Sequence, residues 1–287
     1  MVAVDAVREG QRRLWDGVSP GWQRWQRAFE SGARPVTEAL LALAGIHPGQ
    51  TVLDLGCGVG EPALSAARAV GESGRVVGVD LSPAMVAAAR RAVAGIANVE
   101  FVVGDFETVV LPDEGFDVVL SRWALPFAPD RVAALRAAAA RLRPRGVLAA
   151  AVWGEPQDVP VISLAFRVIS QVLDLEPPAP GPGPFALADP SVLRSELEEA
   201  GFAAVEIETV RACFAFASVG EFARFSRDVL PPWLAEQLRD RCGSVEDAGV
   251  WGAFAAAARR YEQGDGRVVL PSVVHCARAV AGASRAL

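Results

Sequence analysis

The sequence predicts an α/β protein built on a mostly parallel sheet with helices on both faces. Three observations carry that expectation. From Thr51 to Trp153, short apolar runs alternate with helical patterns, as they do in successive strand–helix–strand units. The glycine turn "GCGVG" (56–60) stands between one such run and an Ala-rich segment. Acids fall at the ends of three consecutive runs, at Asp54, Asp80 and Asp105.

Taken in order, "TVLDL" (51–55) reads as a strand and Glu61 to Val70 as a helix. "RVVGVD" (75–80) is a strand. "PAMVAAARRAV" (83–93) is a helix whose proline falls in the first turn, where a missing N–H leaves no gap in the ladder. "VEFVVGD" (99–105) and "FDVVLS" (116–121) are strands, "PDRVAALRAAAARL" (129–142) a helix and "GVLAAAVW" (146–153) a strand. The pattern then changes. Gln157 to Leu175 is helical, and "EPPAPGPGPFALADP" (176–190) holds too much proline for a regular element. Asp189 to Ala200 is a helix closed by Gly201, "FAAVEIETV" (202–210) a strand, and helices fill 218–262. "RVVLPSVVHCARAV" (267–280) is the last strand, in which Pro271 implies an edge or a bulge.

Composition narrows the function. The 287 residues are 52% hydrophobic, enough for a sizeable core. The net charge is −6 and all 28 basic residues are Arg, with no basic block, so nucleic acid is not an expected partner. Cys57, Cys213, Cys242 and Cys276 lack the spacing of a disulfide framework or a metal site, so no metal is expected. No apolar run is long enough to span a membrane, and the charged N-terminus lacks a signal core. A cytoplasmic location is expected.

In an open parallel sheet, ligands bind beyond the carboxyl ends of the strands. Gly56, Gly58 and Gly60 let the backbone turn tightly and approach a ligand without Cβ obstruction. A dinucleotide turn would read G-x-G-x-x-G; this one reads G-x-G-x-G, flanked by Asp54 and Glu61. Two carboxylates there repel a pyrophosphate but suit a ligand carrying an ammonium and a sulfonium, as S-adenosylmethionine does. Asp80 can accept ribose hydroxyls, which alone would also fit NAD. Asp105 can accept the adenine amino group, with Phe106 or Met85 on the ring.

With "VLDLGCGVG", "VVGVDLSPAMVAAAR", "NVEFVVGDFETVVLPDEGFDVVLSRWALPFAPD" and "ALRAAAARLRPRGVLAAAVWG", the chain resembles the class I S-adenosylmethionine-dependent methyltransferases. The likeness is to their ubiquinone/menaquinone-biosynthesis-type small-molecule branch, and it is strong over residues 36–153. It implies a Rossmann-like seven-stranded sheet in order 3-2-1-4-5-7-6 with the last strand antiparallel, and small-molecule methyl transfer of the EC 2.1.1 type. S-adenosyl-L-homocysteine would be the cofactor product, and secondary metabolism the setting. By that resemblance Asp54, Gly56, Cys57, Gly58 and Gly60 surround the methionine part. Asp80 and Leu81 hold the ribose, Gly104, Asp105 and Phe106 the adenine with Met85 at the ring, and Ser121 and Arg122 add contacts after the fourth strand. One departure is "RPRG" (143–146) where the family often has Pro-Gly-Gly; a left-handed Arg145 would cost on the order of 1 kcal/mol.

The expected organisation is an N-terminal helical cap over 1–35 and a core over 36–287 with cap insertions at about 154–188 and 214–262. The caps and adjoining strand ends are rich in large aromatics. Trp22, Trp25, Trp123, Trp153, Phe166, Phe185 and Trp233 are the expected walls of a substrate site for a fairly large, apolar small molecule. Ala- and aromatic-rich cap helices could support a homodimer. His47 and His275 are expected to lie away from the ligand, so no catalytic residue is assigned. An acid or Tyr261 could serve as base, or the acceptor could already be nucleophilic. Three other readings stand beside methyl transfer to O, N or C: a cyclase or pericyclase that retains the cofactor, an NAD-dependent oxidoreductase, and a non-catalytic cofactor-binding protein.

Overall fold

The computed structural model describes residues 2–93, 95–111, 115–176 and 181–282. Seven strands form one sheet in order β3-β2-β1-β4-β5-β7-β6, as the family resemblance implied. β1 (Thr51–Leu55), β2 (Arg75–Asp80), β3 (Val99–Val103), β4 (Phe116–Arg122) and β5 (Leu142–Trp153) run parallel. β7 (Val268–Ala281) is antiparallel to both β5 and β6 (Phe202–Phe216). The central strands are nearly continuous runs of Val and Leu, the pattern of strands covered on both faces.

α2 (Ala63–Val70) and α3 (Pro83–Ala92) pack on one face through Ala63, Leu64, Ala66, Val86 and Ala89. α4 (Arg131–Arg141) and α6 (Pro190–Glu199) pack on the other through Leu135, Ala138, Leu193 and Leu197. Side chains start several of these helices: Ser82 Oγ accepts from Met85 N at 3.1 Å, and Asp130 Oδ1 from Ala133 N at 2.9 Å. α5 (Pro160–Val172), α7 (Val219–Asp228), α8 (Pro232–Cys242) and α9 (Ala248–Ala258) lie in the segments expected to form caps and share one apolar core with α1 through Leu164, Phe222, Phe225, Leu234 and Phe254.

Two expectations need correction. β6 runs to Phe216 rather than 210, because Ala212, Phe214 and Phe216 keep the alternation and are buried while Cys213 is exposed. β5 starts at Leu142 rather than 146: Phe116 pairs with Leu142 and Val118 with Val147, leaving the intervening residues as a bulge in which Arg145 is left-handed, φ 67°. β7 is interior to the sheet, but the β5 register ends at Val274, so at Pro271 the strand pairs with β6 alone and has the local edge that the proline implied. Residues 177–180 of the proline-rich stretch lie outside the described residues.

The N-terminal segment is one helix, α1 (Val2–Ala44), which continues past position 35. It lies against the sheet closely enough that a Cβ on Gly32 would stand 2.6 Å from the Phe214 ring and 2.8 Å from the Cys213 carbonyl oxygen. Glycine allows that approach.

Candidate active site

The carboxyl ends of β1, β2 and β3 open onto one cavity of about 250 Å³. After β1 the chain turns at Gly56, φ 71°, where a Cβ would stand 2.2 Å from the Ala124 Cβ. Gly58, φ 52°, borders open space instead. Its N–H donates to Asp80 Oδ2 at 2.8 Å, and Ser82 N–H donates to Oδ1 at 2.9 Å. Each oxygen keeps lone-pair capacity for a further donor. Burial pushes the Asp80 carboxyl up to about 6, against the two backbone bonds that favour its charge.

Asp105 follows β3. Its Oδ1 accepts from Glu107 N at 2.8 Å, and its Oδ2 lies 2.6 Å from Arg8 Nε. Arg8 Nη2 reaches Glu107 Oε2 at 2.5 Å. Burial first, then the Asp105 charge, raise the Glu107 carboxyl above its ordinary value.

α1 crosses the strand ends in the order of the sheet. Arg8 meets the acids after β3. Asp16 Oδ1 accepts from Ser82 Oγ at 2.5 Å and from Ala84 N at 3.3 Å, after β2. Gln26 Nε2 donates to Val59 O at 3.1 Å, after β1. Glu30 and Thr37 hold Arg122 at the end of β4: Arg122 Nη1 donates to Glu30 Oε2 at 2.8 Å and Thr37 Oγ1 at 2.7 Å, and Nη2 to Glu30 Oε1 at 2.5 Å. This bidentate pair on a buried guanidinium fixes α1 over the site.

Of the residues expected to hold the cofactor, Gly56, Cys57, Gly58, Asp80, Leu81, Met85, Asp105, Phe106 and Arg122 border the cavity. Asp54, Gly60, Gly104 and Ser121 do not. Asp54 sits beneath the turn, where its Oδ2 accepts from Ala63 N at 3.1 Å and its buried Oδ1 has no protein partner. Burial pushes Asp54 up to about 7, opposed by the Arg122 charge. Ser121 Oγ donates to Leu55 O at 3.1 Å, tying β4 to β1. A Cβ on Gly60 would meet Leu64 and one on Gly104 would meet Val109, so both serve packing. Burial, then Asp80, raise the Cys57 thiol far above its usual range, leaving an uncharged wall.

Of the expected substrate residues, Trp22, Trp123, Trp153 and Phe166 line the cavity; Trp25, Phe185 and Trp233 do not. Trp25 Nε1 donates to Asp228 Oδ2 at 2.8 Å and its ring packs on Phe216 and Phe225. Phe185 packs against the core, and Trp233 is 43% exposed. Sequence reasoning missed Arg8, Trp15, Phe29, Glu30 and Ser226 as cavity residues. One signal was present: Arg8, Gln11, Trp15, Val18, Trp22 and Phe29 recur at intervals of three, four and seven, one stripe of a helix. His47, His275 and Tyr261 lie outside the cavity; His275 Nδ1 is 3.2 Å from Thr209 Oγ1 and Tyr261 contacts Arg260. Among the described residues no group of His, Cys, Asp or Glu could hold a metal ion, and no helix is long and apolar enough to cross a membrane.

Residues 52–146 match the family model described as a methyltransferase domain. The chain is 33% identical over 180 residues to the arsenite methyltransferase of Halobacterium salinarum, covering 58% of this chain and 40% of that protein. It is 37% identical to the aklanonic acid methyltransferase DauC of a Streptomyces strain, over 35% of this chain and 47% of that one. It is 39% identical to the nocamycin O-methyltransferase of Saccharothrix syringae, over 39% and 41% respectively. The chain thus spans less than half the length of each of these relatives. Among solved structures, the [4+2]-cyclase SpnF superposes with TM-score 0.55 at 19% identity, covering 94% of this chain and 97% of SpnF. The YcgJ protein of Bacillus subtilis does so with TM-score 0.54 at 18% identity, covering 86% and 98%. Both share the fold.

Proposed function

We propose that this chain, whose residues 52–146 match the family model described as a methyltransferase domain, binds S-adenosylmethionine and transfers its methyl group to an O, N or C nucleophile of a fairly apolar small molecule. One observation carries the reading: the glycine turn and the acids closing β2 and β3 border the same cavity as an aromatic wall. When bound, S-adenosylmethionine supplies an electrophilic methyl carbon on a sulfonium. Asp80 accepts the ribose hydroxyls with the lone pairs its two backbone bonds leave free. Asp105 accepts the adenine amino group, with Phe106 and Met85 against the ring. The turn at Gly56–Gly58 borders the methionine part, and Arg122 stiffens it from behind through Glu61 O at 3.3 Å.

Trp22, Trp123, Trp153 and Phe166 exclude water and align the acceptor, which is where in-line displacement gains most of its rate. Aromatic faces also favour a nearby cation. No imidazole or phenol borders the cavity among the described residues, and Glu30 gives both oxygens to Arg122, but the carboxylates of Glu61 and Glu107 also line it. A carboxylate is a weak base, so the acceptor is an amine, a stabilised carbanion or a readily ionised hydroxyl. The lack of a stronger base also suits, as a second reading, cyclisation with the cofactor retained.

Incubating the protein with S-adenosylmethionine and a panel of apolar phenols, amines and β-dicarbonyls, then recording masses, separates the readings. Methylated product with equimolar S-adenosylhomocysteine is the expected result. An unmethylated isomer without S-adenosylhomocysteine would establish the second reading, and an unaltered panel with no cofactor bound would contradict both.

A further inference from the structure

α1 is one helix, yet its two parts are fastened by different means. In the second part Trp25, Phe29, Ala33, Val36, Leu40 and Ala44 are all buried in the core. A Cβ on Gly21 would overlap the Asp228 carbonyl oxygen, and Arg24 Nη1 and Trp25 Nε1 both donate to Asp228 Oδ2 at 2.8 Å. Residues 5–17, by contrast, contribute no buried side chain, and Val7 is 39% exposed. A segment with so little buried contact opens at low free-energy cost.

Between the two parts stands "GVSPG" (17–21). Pro20 lies inside the helix and has no N–H to give the Asp16 carbonyl oxygen, and glycine, a poor helix former, flanks it at 17 and 21. Bends in helices gather at such positions.

The arm before this break is held mainly by polar contacts. Asp16, at its root, accepts from Ser82 Oγ and Ala84 N, and Trp15 adds an edge-on ring contact with Phe127. Among the described residues, every hydrogen bond or ion pair that residues 5–15 make outside α1 comes from Arg8. Its Nε stands 2.6 Å from Asp105 Oδ2 and its Nη2 2.5 Å from Glu107 Oε2, so one guanidinium holds two carboxylates that would otherwise repel each other. Arg8, Gln11, Leu14 and Trp15 line the cavity together with those two acids. A ligand that reaches the Asp105 carboxylate therefore meets Arg8 beside it.

We propose that residues 2–16 are an arm hinged at Gly17–Gly21, and that Arg8 is the positioning residue that latches it over the strand-end half of the cavity, so that release of the Arg8 pair sets how fast the cofactor enters and leaves. The role rests on reading this half as the S-adenosylmethionine site, and it deepens that reading by naming what controls exchange there.

Two measurements on the full chain test it with Arg8→Gln. Arg24→Gln, which removes an ion pair of the same helix beyond the hinge, serves as the control. Stopped-flow tryptophan fluorescence gives the association and dissociation rates of S-adenosylhomocysteine. Hydrogen exchange of the protein alone reports opening of the arm. Arg8→Gln is expected to raise both rates together, by about tenfold, the order for a partly exposed charge-assisted pair, and to leave Kd within about threefold. Exchange at 5–16 should quicken by a similar factor while 22–44 stays as in the wild type, and Arg24→Gln should alter neither readout. A faster dissociation alone, with weakened Kd, would make Arg8 a plain ligand contact and overturn the latch. So would unchanged exchange at 5–16, or equal acceleration by Arg24→Gln. Faster exchange of the arm in a protein that binds no S-adenosylhomocysteine would support the latch and remove only the methyltransferase reading.

Discussion

The two halves of the cavity are built by opposite means. The strand-end half is polar and local: Gly56, Gly58, Asp80 and Asp105 stand within a few residues of a strand terminus, and backbone N–H groups orient their carboxylates. The cap half is apolar and non-local, bringing Trp22, Trp123, Trp153, Phe166 and Ser226 together from α1, the turn after β4, β5, α5 and α7. α1 belongs to both, with Arg8 and Asp16 on the polar side and Trp22 and Phe29 on the apolar side. The contrast teaches that ligand chemistry common to a family can sit in short motifs, whereas acceptor selection depends on tertiary packing.

The largest effect expected is on the fastener between the halves. Arg122→Ala leaves Glu30 beside an empty, buried site and should destabilise the fold by about 3–5 kcal/mol, the range for breaking a buried pair; denaturant titration measures it. If the loss is under about 1 kcal/mol, the pair is not what holds α1 in place.

Asp54 provides a pH test of the polar half. Its folded pKa, about 7, lies above the ordinary carboxyl value of 3.8, so its stabilising contribution is complete below about pH 4 and is lost as the pH rises through about 7. Asp54→Asn does not titrate. Its stability relative to wild type should therefore rise across that window, by up to about 4 kcal/mol. A difference that stays flat between pH 4 and 8 would mean that Asp54 is charged throughout.

Asp80→Ala removes a carboxylate without touching the cap and should weaken S-adenosylhomocysteine binding by about 1–3 kcal/mol. Unchanged affinity in a folded variant would move the ribose elsewhere. The smallest effect is expected for Trp25→Phe, which loses one hydrogen bond to Asp228 outside the cavity. It should lower stability by about 1 kcal/mol and leave ligand affinity alone; a change in affinity would bring Trp25 into the site after all.

Legibility in the sequence followed the same division. The strands and helices from Thr51 to Trp153 could be read because apolar periodicity and caps such as Ser82 and Asp130 are local. So could the placing of Asp80 and Asp105 at the cavity, since Asp80 closes β2 and Asp105 follows β3 at the carboxyl ends of the sheet. Asp54 misled because strand alternation and turn geometry send its side chain under the turn rather than into the cavity. Trp25 and Trp22 looked equivalent, yet three positions along a helix rotate a side chain by most of a turn, which puts Trp25 toward Asp228 and Trp22 toward the cavity. Ser226 carried no signal: a single serine in a helix is brought to the cavity only by the tertiary packing of α7.

Calorimetric titration of the purified chain with S-adenosylhomocysteine and, separately, with NAD tests the central claim most directly. Saturable, one-to-one binding of S-adenosylhomocysteine and none of NAD is expected, from the G-x-G-x-G turn and the strand-end acids. A folded protein that binds NAD instead, or neither ligand, would contradict the account.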